Sequence, residues 1–597
     1  MFDRSKHPSP QFIRTGWQSL DGEWNFCFDD DDNGIMEEWF ENFPKSSEIL
    51  VPFTYETELS GINKQEQHQV IWYNRQLEVS DTSNYVLHFE GVDYHTSVWI
   101  NGRYVGEHSG AYEKFSFDIG NYLIPGTNEI TVRVSDSLAC EQSRGKQRWL
   151  KENFMCWYVQ TTGIWKSVWL EKAEYQRLKR VKLTPDTDYD QIIIEPELQQ
   201  NNVGTVPNSY ELEITVSFEN ELVSKMRTSF VHQLTPLRMD TRLKTDACWG
   251  TKIWEPSNPY LYDISFKLFD SQGKLLDEVI SYFGMRKIAI ENGTILLNNH
   301  QLYQRLILDQ GYWPKSGITP PSIDALEKDI QRVVEMGYNG VRKHQKIEDD
   351  RFYYLCDTKG LLVWCEMPST YTFNDAAIEN ISEEWLAIVN QHYNHPSIIT
   401  WVPFNESWGI KGIQNIKKRQ DLTVGIYYLT KSIDDTRPVI TNDGWQHTVS
   451  DIITIHDYEE KGSIFSERFS DAPEFSGNQS NKAQLMENKK QFNGGWFAFA
   501  DGYEYQGQPI IISEFGGIAF ANENTENWGY GHQVKTEAEF MERFNNIHQA
   551  IQDIPYIQGF CYTQLTDVEQ EINGLLTPDR SAKVDLSEVK KVNERKR

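Results

Sequence analysis

With 597 residues, 39% of them apolar, the chain is long enough for about three or four domains with sizeable cores. Lys and Arg number 58 against 87 Asp and Glu, and the resulting net charge of −29 disfavours nucleic acid and anionic membranes as partners. No run of about 18 apolar residues spans a membrane, and "MFDRSKHPSPQFIRTGW" has no apolar signal core, so a cytoplasmic protein is expected.

Residues 1–174 read as short strands. "YVLHFEGVDYHTSVWING" alternates apolar and polar positions and ends on Asn101 and Gly102, a hairpin signal; "NEITVRVSD" and "KSVWLEKA" alternate likewise. A β-sandwich of jelly-roll type is expected there. Residues 175–287 repeat the style in "ELEITVSFEN", "LYDISFKLFD" and "DEVISYFG", with the length of an immunoglobulin-like sandwich; "WEPSNPYLY" (254–262) reads as an irregular edge. The acidic run "DDDDNG" (29–34) resembles the start of a calcium loop. It has Phe40 where the EF-hand spacing demands Glu, so it reads as an acidic turn.

After residue 287 apolar runs alternate with helix-period segments. Eight strands are expected, at 302–308, 338–343, 361–366, 398–404, 438–442, 452–456, 509–513 and 559–564. Between several of them lie helical patterns, the first, "PSIDALEKDIQRVVEMG", with Ser322 as N-cap; the others are "ISEEWLAIVNQHY", "IKKRQDLTVGIYYLTKSI" and "KTEAEFMERFNNIHQAIQ". Eight strands with intervening helices or long loops over 288–597 point to a (β/α)₈ barrel. The alternative, an open doubly wound sheet, lacks a Gly-rich dinucleotide loop.

Reactive groups of such barrels sit where the strands end. "WVPFNESWGI" leaves the fourth strand at Asn405 and Glu406, and "PIIISEFGG" leaves the seventh at Glu514 before two glycines. Both carboxylates then look across one mouth. A carboxyl pair, one protonated and one ionised, suits glycosidic bond cleavage, and a separation of about 5–5.5 Å implies retention through a covalent intermediate. A single strand-end Glu more often makes a surface salt bridge; two at barrel positions favour function. Asn405 is placed to bond a sugar hydroxyl.

The chain resembles glycoside hydrolase family 2, which holds β-galactosidases, β-glucuronidases and β-mannosidases. The resemblance is carried by "VWINGRYVGEHSGAYEKFSFDIGNYLIPGTNEITVRV", "TTGIWKSVWLE", "FGMRKIAI", "NHPSIITWVPFNESWG" and "ISEFGG". It implies Glu406 as general acid/base, Glu514 as nucleophile and Asn405 on the sugar 2-hydroxyl. Glu366, ending "LLVWCE", stands where the family often has an acidic residue. His456 and Tyr458 of "ITIHDY" stand where it places pocket residues; a buried structural histidine is the plain alternative for His456. The sugar is where the pattern departs. "LILDQGYW" has Asp309 and Gln310 where many β-galactosidases have Arg-His-Glu. "EINGLLTPDR" has Glu571 and Asn573 where β-glucuronidases have the Asn and Lys of Asn-x-Lys-Gly, and Glu571 would repel a uronate. Arg342 and Lys346 of "VRKHQKIEDDR" could supply cations from another side, or pair with the acidic run 348–350.

Sugar rings stack on aromatic faces, and Trp408, Trp445 and Trp528 lie at or near strand exits. Residues 459–508 form a long stretch expected to rim or cover the pocket, or else to serve an oligomer contact. The seven cysteines (27, 140, 156, 248, 356, 365 and 561) are scattered and read as reduced thiols without zinc spacing; there is no HExxH or phosphate loop, so no metal and no other cofactor is expected. The expectation is a retaining exo-β-glycosidase, galactosidase-like, acting on a small carbohydrate and forming a homo-oligomer, with the sandwiches shaping the barrel mouth. The alternatives are a β-glucuronidase, β-galacturonidase or arabinosidase on the same scaffold, a transglycosylase, or a non-catalytic carbohydrate-binding protein.

Overall fold

The computed structural model describes residues 3–596 apart from 45, 81–83, 200–208, 232–233, 246–247, 478, 493 and 522–525. Near the N-terminus a four-stranded antiparallel sheet (Trp17–Ser19, Val168–Lys172, Tyr85–Phe89, Phe115–Asp118, in spatial order) accompanies a six-stranded one built on Val70–Val79 and Gly126–Ser135. Their shared core holds Trp24, Phe26, Tyr73, Leu87, Val98 and Val132. In the acidic run, Asp29 is buried and accepts from the backbone of Asn33 and Gly34 and from the Trp72 indole, which makes it a turn-former.

The second sandwich pairs a three-stranded and a four-stranded sheet. Its strand Tyr210–Phe218 buries Tyr210, Leu212, Ile214, Val216 and Phe218 in strict alternation, the period-two pattern of a half-buried strand. Ile13 bridges Ile280 across to this unit. Arg14 then bonds Asp277 of the second sandwich (2.9 Å) and Glu171 of the first (2.9 Å), so one buried guanidinium ties the two together.

The third unit is a parallel barrel. Seven strands hydrogen-bond in the order Ile398–Val402, Leu362–Glu366, Gly340–Lys343, Gln304–Asp309, Ile557–Thr563, Ile510–Gly516, Ile453–His456. The expected fifth strand at 438–442 is not a regular strand among the described residues. Pro438 removes a ladder donor, and only Val439 and Asp443 bridge the fourth strand, at Trp401 and Asn405. Side chains complete the closure: Gly444 donates its N–H to the Thr454 hydroxyl (3.0 Å) and Thr441 to that of Ser450 (2.9 Å). The helices arise where expected. Ser322 caps Ile323–Glu335 through the Ala325 N–H, and Asn374 and Thr536 cap Asp375–His392 and Glu537–Gln552 in the same way.

The first sandwich is seamed to the barrel. Leu59 donates its N–H to the Lys315 carbonyl (2.9 Å), and Thr319 bonds the Trp165 carbonyl (2.7 Å). Glu56, buried beside this seam with neither carboxyl oxygen hydrogen-bonded among the described residues, has its carboxyl pushed up to about 8 by burial. Folding therefore keeps it protonated while the unfolded chain ionises near the ordinary value. Its contribution to stability is full below about pH 4.5 and is lost as pH rises towards 8. Glu56→Gln removes this loss. Thermal unfolding should show the variant gaining on the wild type between pH 5 and 8, by on the order of 3 kcal/mol; parallel curves would refute the assignment.

Candidate active site

The site is built around one guanidinium. Arg342, on the second barrel strand, is fully buried in the mouth. Its Nε donates to Glu366 Oε2 (2.6 Å), Nη1 to Glu514 Oε1 (2.8 Å), and Nη2 to Asn405 Oδ1 (2.7 Å). Nη1 also lies 2.6 Å from Asp443 Oδ2. Burial alone would lower its pKa, but Asp443, Glu366 and Glu514 raise it well above the ordinary value. Conversely, burial disfavours the Glu366 charge, yet Arg342 and His344 bring its carboxyl down to about 2.

Glu406 leaves the fourth strand through a strained turn. Glu406 and Ser407 both take positive φ (51° and 59°), costly for residues with a side chain. The surroundings enforce it: Glu406 N–H bonds the Asp443 carbonyl (2.9 Å) and Ser407 N–H bonds Asn442 Oδ1 (2.9 Å). Gly444 is required beside this turn, because a Cβ there would lie 2.7 Å from the His456 ring.

His456 links the two carboxylates. Its Nδ1 lies 2.8 Å from Glu406 Oε1, and its Nε2 lies 2.8 Å from Asp443 Oδ2 and 3.5 Å from Glu514 Oε1. One oxygen of Glu406, one of Glu514 and a ring nitrogen of His456 all lie within 4.8 Å of one another. Burial would discharge the imidazole, but Glu514 and Asp443, with hydrogen bonds to Asp443 and Glu406, raise it to about 10. The triad has the spacing of a cation site, but a protonated His456 and the Arg342 guanidinium already supply the positive charge between these carboxylates.

The two carboxylates differ in surroundings. Glu514 is buried; burial opposes its charge, but His456, Arg342 and His344 outweigh it and hold the carboxyl below its usual range. Tyr458 donates to Glu514 Oε2 (2.6 Å) and stacks on Tyr530. The side chain of Glu406 keeps 20% of its surface exposed, so it faces the opening. Asn405 is fully buried, with Oδ1 turned to Arg342, a pure donor; its Nδ2 has no hydrogen-bond partner among the described residues and is free for a hydroxyl.

Around the pair stand aromatic walls. Half-buried Trp408 packs against Trp157 and Tyr371, with ring centroids 5.6 and 5.8 Å away. Trp445 edges His456 (5.5 Å) and stacks on Trp496 (4.6 Å), which the 459–508 stretch contributes. The backbone N–H groups of Gln446 and His447 bond the carbonyls of Phe497 and Ala498. This end of the stretch therefore docks on the catalytic side of the barrel.

Of the other sequence-predicted residues, Lys346, Asp309 and Trp528 are engaged within the protein, while Glu571 and Asn573 sit beside Gln310 and Gln564 at the exits of the first and eighth strands. Lys346 Nζ donates to the carbonyls of Gly311 (2.9 Å) and Ile318 (2.6 Å) and pairs with Glu348 (2.7 Å), so no donor remains for a sugar. Asp309 pairs with Lys343 (2.7 Å) in the same buried ion cluster. Glu571 is buried and accepts from Tyr158, from Asn573 Nδ2 (3.0 Å) and from Gln310 Nε2 (3.4 Å). Asn573 receives Gln564 Nε2 (2.7 Å). Trp528 donates its indole N–H to the Met155 carbonyl (2.9 Å), and its backbone bridges Glu571. Sequence reading missed Asp443, His344, Tyr530 and the first-domain residues Lys146, Tyr158 and Trp157. Asp443 had a signal, standing before Gly444 at the fifth barrel position; the first-domain residues had none.

A barrel mouth with two close carboxylates in contrasting environments is the arrangement of a glycosidase. Three family models match the chain in series: the sugar binding domain of glycosyl hydrolases family 2 over residues 17–173, a further model of glycosyl hydrolases family 2 over 176–286, and its TIM barrel domain over 288–596. The chain belongs to glycosyl hydrolase family 2. It is 28% identical over 360 residues to a beta-galactosidase of Thermoanaerobacter pseudethanolicus, covering 58% of this chain and 46% of that one. Thus the match spans less than half of that relative's length. Among solved structures it resembles a b-glucuronidase from Ruminococcus gnavus (TM-score 0.77, 18% identity, 98% of each chain). It also resembles a GH2 beta-galacturonidase from Eisenbergiella tayi (TM-score 0.71, 19% identity, 98% of this chain and 97% of that one). At these identities the likeness is one of fold. No helix among the described residues is long and apolar enough to cross a membrane.

Arg342→Leu would strip the shared cation from Glu366, Asp443 and Glu514. Breaking a buried ion cluster in this way costs about 3–5 kcal/mol, so urea denaturation should show a large fall in midpoint. A variant of wild-type stability would refute the central role given to Arg342.

Proposed function

We propose that this protein is a retaining exo-β-glycosidase that removes a terminal, neutral, galactose-type sugar by double displacement. One observation carries the reading: Glu406 and Glu514 approach within 4.8 Å, joined by His456, in environments that separate their roles. That approach fits the close spacing of retaining pairs, not the wider gap of about 6.5–9.5 Å that admits a water between inverting ones.

Glu514, held ionised by His456 and Arg342 and oriented by Tyr458, attacks the anomeric carbon. Glu406, at the opening, protonates the leaving oxygen. It then takes a proton from the water that hydrolyses the sugar–enzyme ester. Asn405 Nδ2 bonds the 2-hydroxyl, and Trp408 offers a face to the sugar or its leaving group. A neutral sugar is favoured because Glu366, Glu406, Asp443, Glu514 and Glu571 outnumber Arg342, His456 and Lys146, and a uronate would add further negative charge. Lys346, a possible uronate reader, is occupied within the protein.

Glu406→Ala and Glu514→Ala should each lower kcat on an aryl β-galactoside by at least about 1000-fold. Azide should rescue each, yielding the β-glycosyl azide with Glu406→Ala and the α-glycosyl azide with Glu514→Ala, which proton NMR distinguishes. The same anomer from both would overturn the assigned roles.

His456 is protonated through the neutral range and keeps Glu514 ionised. Removing it with His456→Gln lets the Glu514 pKa rise towards ordinary values, so the acid limb of the kcat/KM–pH profile should move to higher pH. An unmoved limb would show that the imidazolium does not set the charge state of Glu514.

A further inference from the structure

Lys146 belongs to the first sandwich but ends in the barrel mouth. It is only 6% exposed, and its ammonium lies 5.0 Å from the centre of the Trp408 ring. Among the described residues it makes no ion pair within 4 Å, although Glu571, Glu514 and Glu406 all act on it electrostatically; its close neighbour is the Cys156 thiol. Burial would discharge the amine, but Cys156 and these three carboxylates raise its pKa and keep it a cation. A buried ammonium whose donors lack an anionic partner, facing a sugar pocket, is a group awaiting a ligand oxygen.

Its position is built. Gly145 takes φ +57°, and a Cβ there would collide with the Gln345 carbonyl and meet the Pro368 Cβ at 3.2 Å. Only glycine therefore lets this segment lie so close to the barrel. The N–H groups of Arg144 and Gly145 share the Ser369 carbonyl (3.0 and 3.1 Å), and Tyr371 donates to the Gly145 carbonyl. On the other side Tyr158 N–H bonds the Lys146 carbonyl (2.8 Å), and the Tyr158 hydroxyl reaches Glu571.

The topology says which part of the sugar Lys146 meets. Asn405 leaves the fourth strand, and Glu571 sits with Gln310 and Gln564 at the exits of the first and eighth, across the ring of eight. With the anomeric carbon between Glu406 and Glu514 and the 2-hydroxyl on Asn405, carbon 5 lies opposite carbon 2. Its exocyclic carbon then turns towards Glu571 and Lys146. We propose that Lys146 is the specificity residue of this glycosidase, donating from its ammonium to the C6 hydroxyl of the sugar. This rests on the reading of Glu406 and Glu514 above.

The test compares wild type, Lys146→Met and Lys146→Gln on four nitrophenyl glycosides of one ring configuration: β-D-galactopyranoside, its 6-deoxy analogue β-D-fucopyranoside, α-L-arabinopyranoside, which lacks C6, and β-D-galacturonide. Lys146→Met should lower kcat/KM on the galactoside by about 10- to 100-fold, the strength of a charge-assisted hydrogen bond, chiefly through KM. It should leave the fucoside and arabinoside within about twofold. Lys146→Gln, which keeps a donor, should fall between. An equal loss on all four would show a structural or general electrostatic role and overturn the proposal, as would no loss. A wild type that prefers the galacturonide, with the Lys146→Met loss confined to it, would overturn both the neutral-sugar reading and the hydroxyl proposal. A wild type inactive on all four but active on the corresponding gluco series would overturn only the galactose reading. The same ratios, taken on glucoside, 6-deoxyglucoside and xyloside, would then judge Lys146. Inactivity on both series would overturn both readings.

Discussion

The site depends on a single buried charge. Arg342 lies where the second, third, fourth and seventh barrel strands and the irregular fifth segment converge, and it bonds a residue from each of the other four: Glu366, Asn405, Glu514 and Asp443. Three carboxylates crowded into a dry barrel mouth would repel one another and resist ionisation. One planar guanidinium, with donors fixed in a fork, neutralises them and sets their directions together. A lysine at the same point would be a point charge without that geometry. The orientation of Asn405 follows from the same bond, because its oxygen must face the guanidinium and its amide must therefore face the cavity.

The functional asymmetry of Glu406 and Glu514 grows from this hub. Glu514 shares Arg342 directly and takes Tyr458 as a further donor; the Glu406 carboxylate has neither and, among the described residues, meets the cluster through His456. The chain accepts two adjacent left-handed residues to put Glu406 there, held by Asp443 and Asn442 of the fifth segment. That links the irregularity of the fifth segment to the chemistry. The same backbone that fails to form a regular strand supplies the carbonyl that braces Glu406, the carboxylate that orients His456, and, in Gly444, the clearance for its ring.

Much of this was legible in the sequence because local chemistry dictated it. Apolar runs ending in Glu406 and Glu514 mark barrel exits, and Ser322 before a helical period marks a cap. The expected fifth strand misled because "PVITN" has strand composition, whereas Pro438 and neighbouring side-chain bonds make the backbone irregular. Arg342 and Lys346 looked alike in "VRKHQK", yet Arg342 enters the mouth while Lys346 joins the ion cluster of Asp309, Lys343 and Glu348. Strand-end reasoning cannot separate them, since Arg342 lies at the end of the strand that Lys346 follows and partner choice depends on residues far along the chain. Lys146 was illegible for a stronger reason. It lies in another domain, and its relevance depends on Gly145 fitting against a carbonyl 200 positions later.

The sandwiches therefore do more than flank the barrel. The 144–158 segment closes the side of the mouth near the first and eighth strands, where Tyr158 and Gln310 converge on Glu571, while the 459–508 stretch closes the side near the fifth and sixth by stacking Trp496 on Trp445. Barrel strands, their exits and the irregular fifth segment supply Glu406, Glu514 and the charges balanced around them. One wall, the 144–158 segment, rests on interdomain contacts, whereas the 459–508 stretch belongs to the barrel domain and docks on Trp445, Gln446 and His447. The contacts of Arg144 and Gly145 with Ser369, like the reach of Tyr158 to Glu571, couple the first domain to the barrel mouth. On the proposed reading, a change at that seam would alter which sugar fits while leaving Glu406 and Glu514 in place.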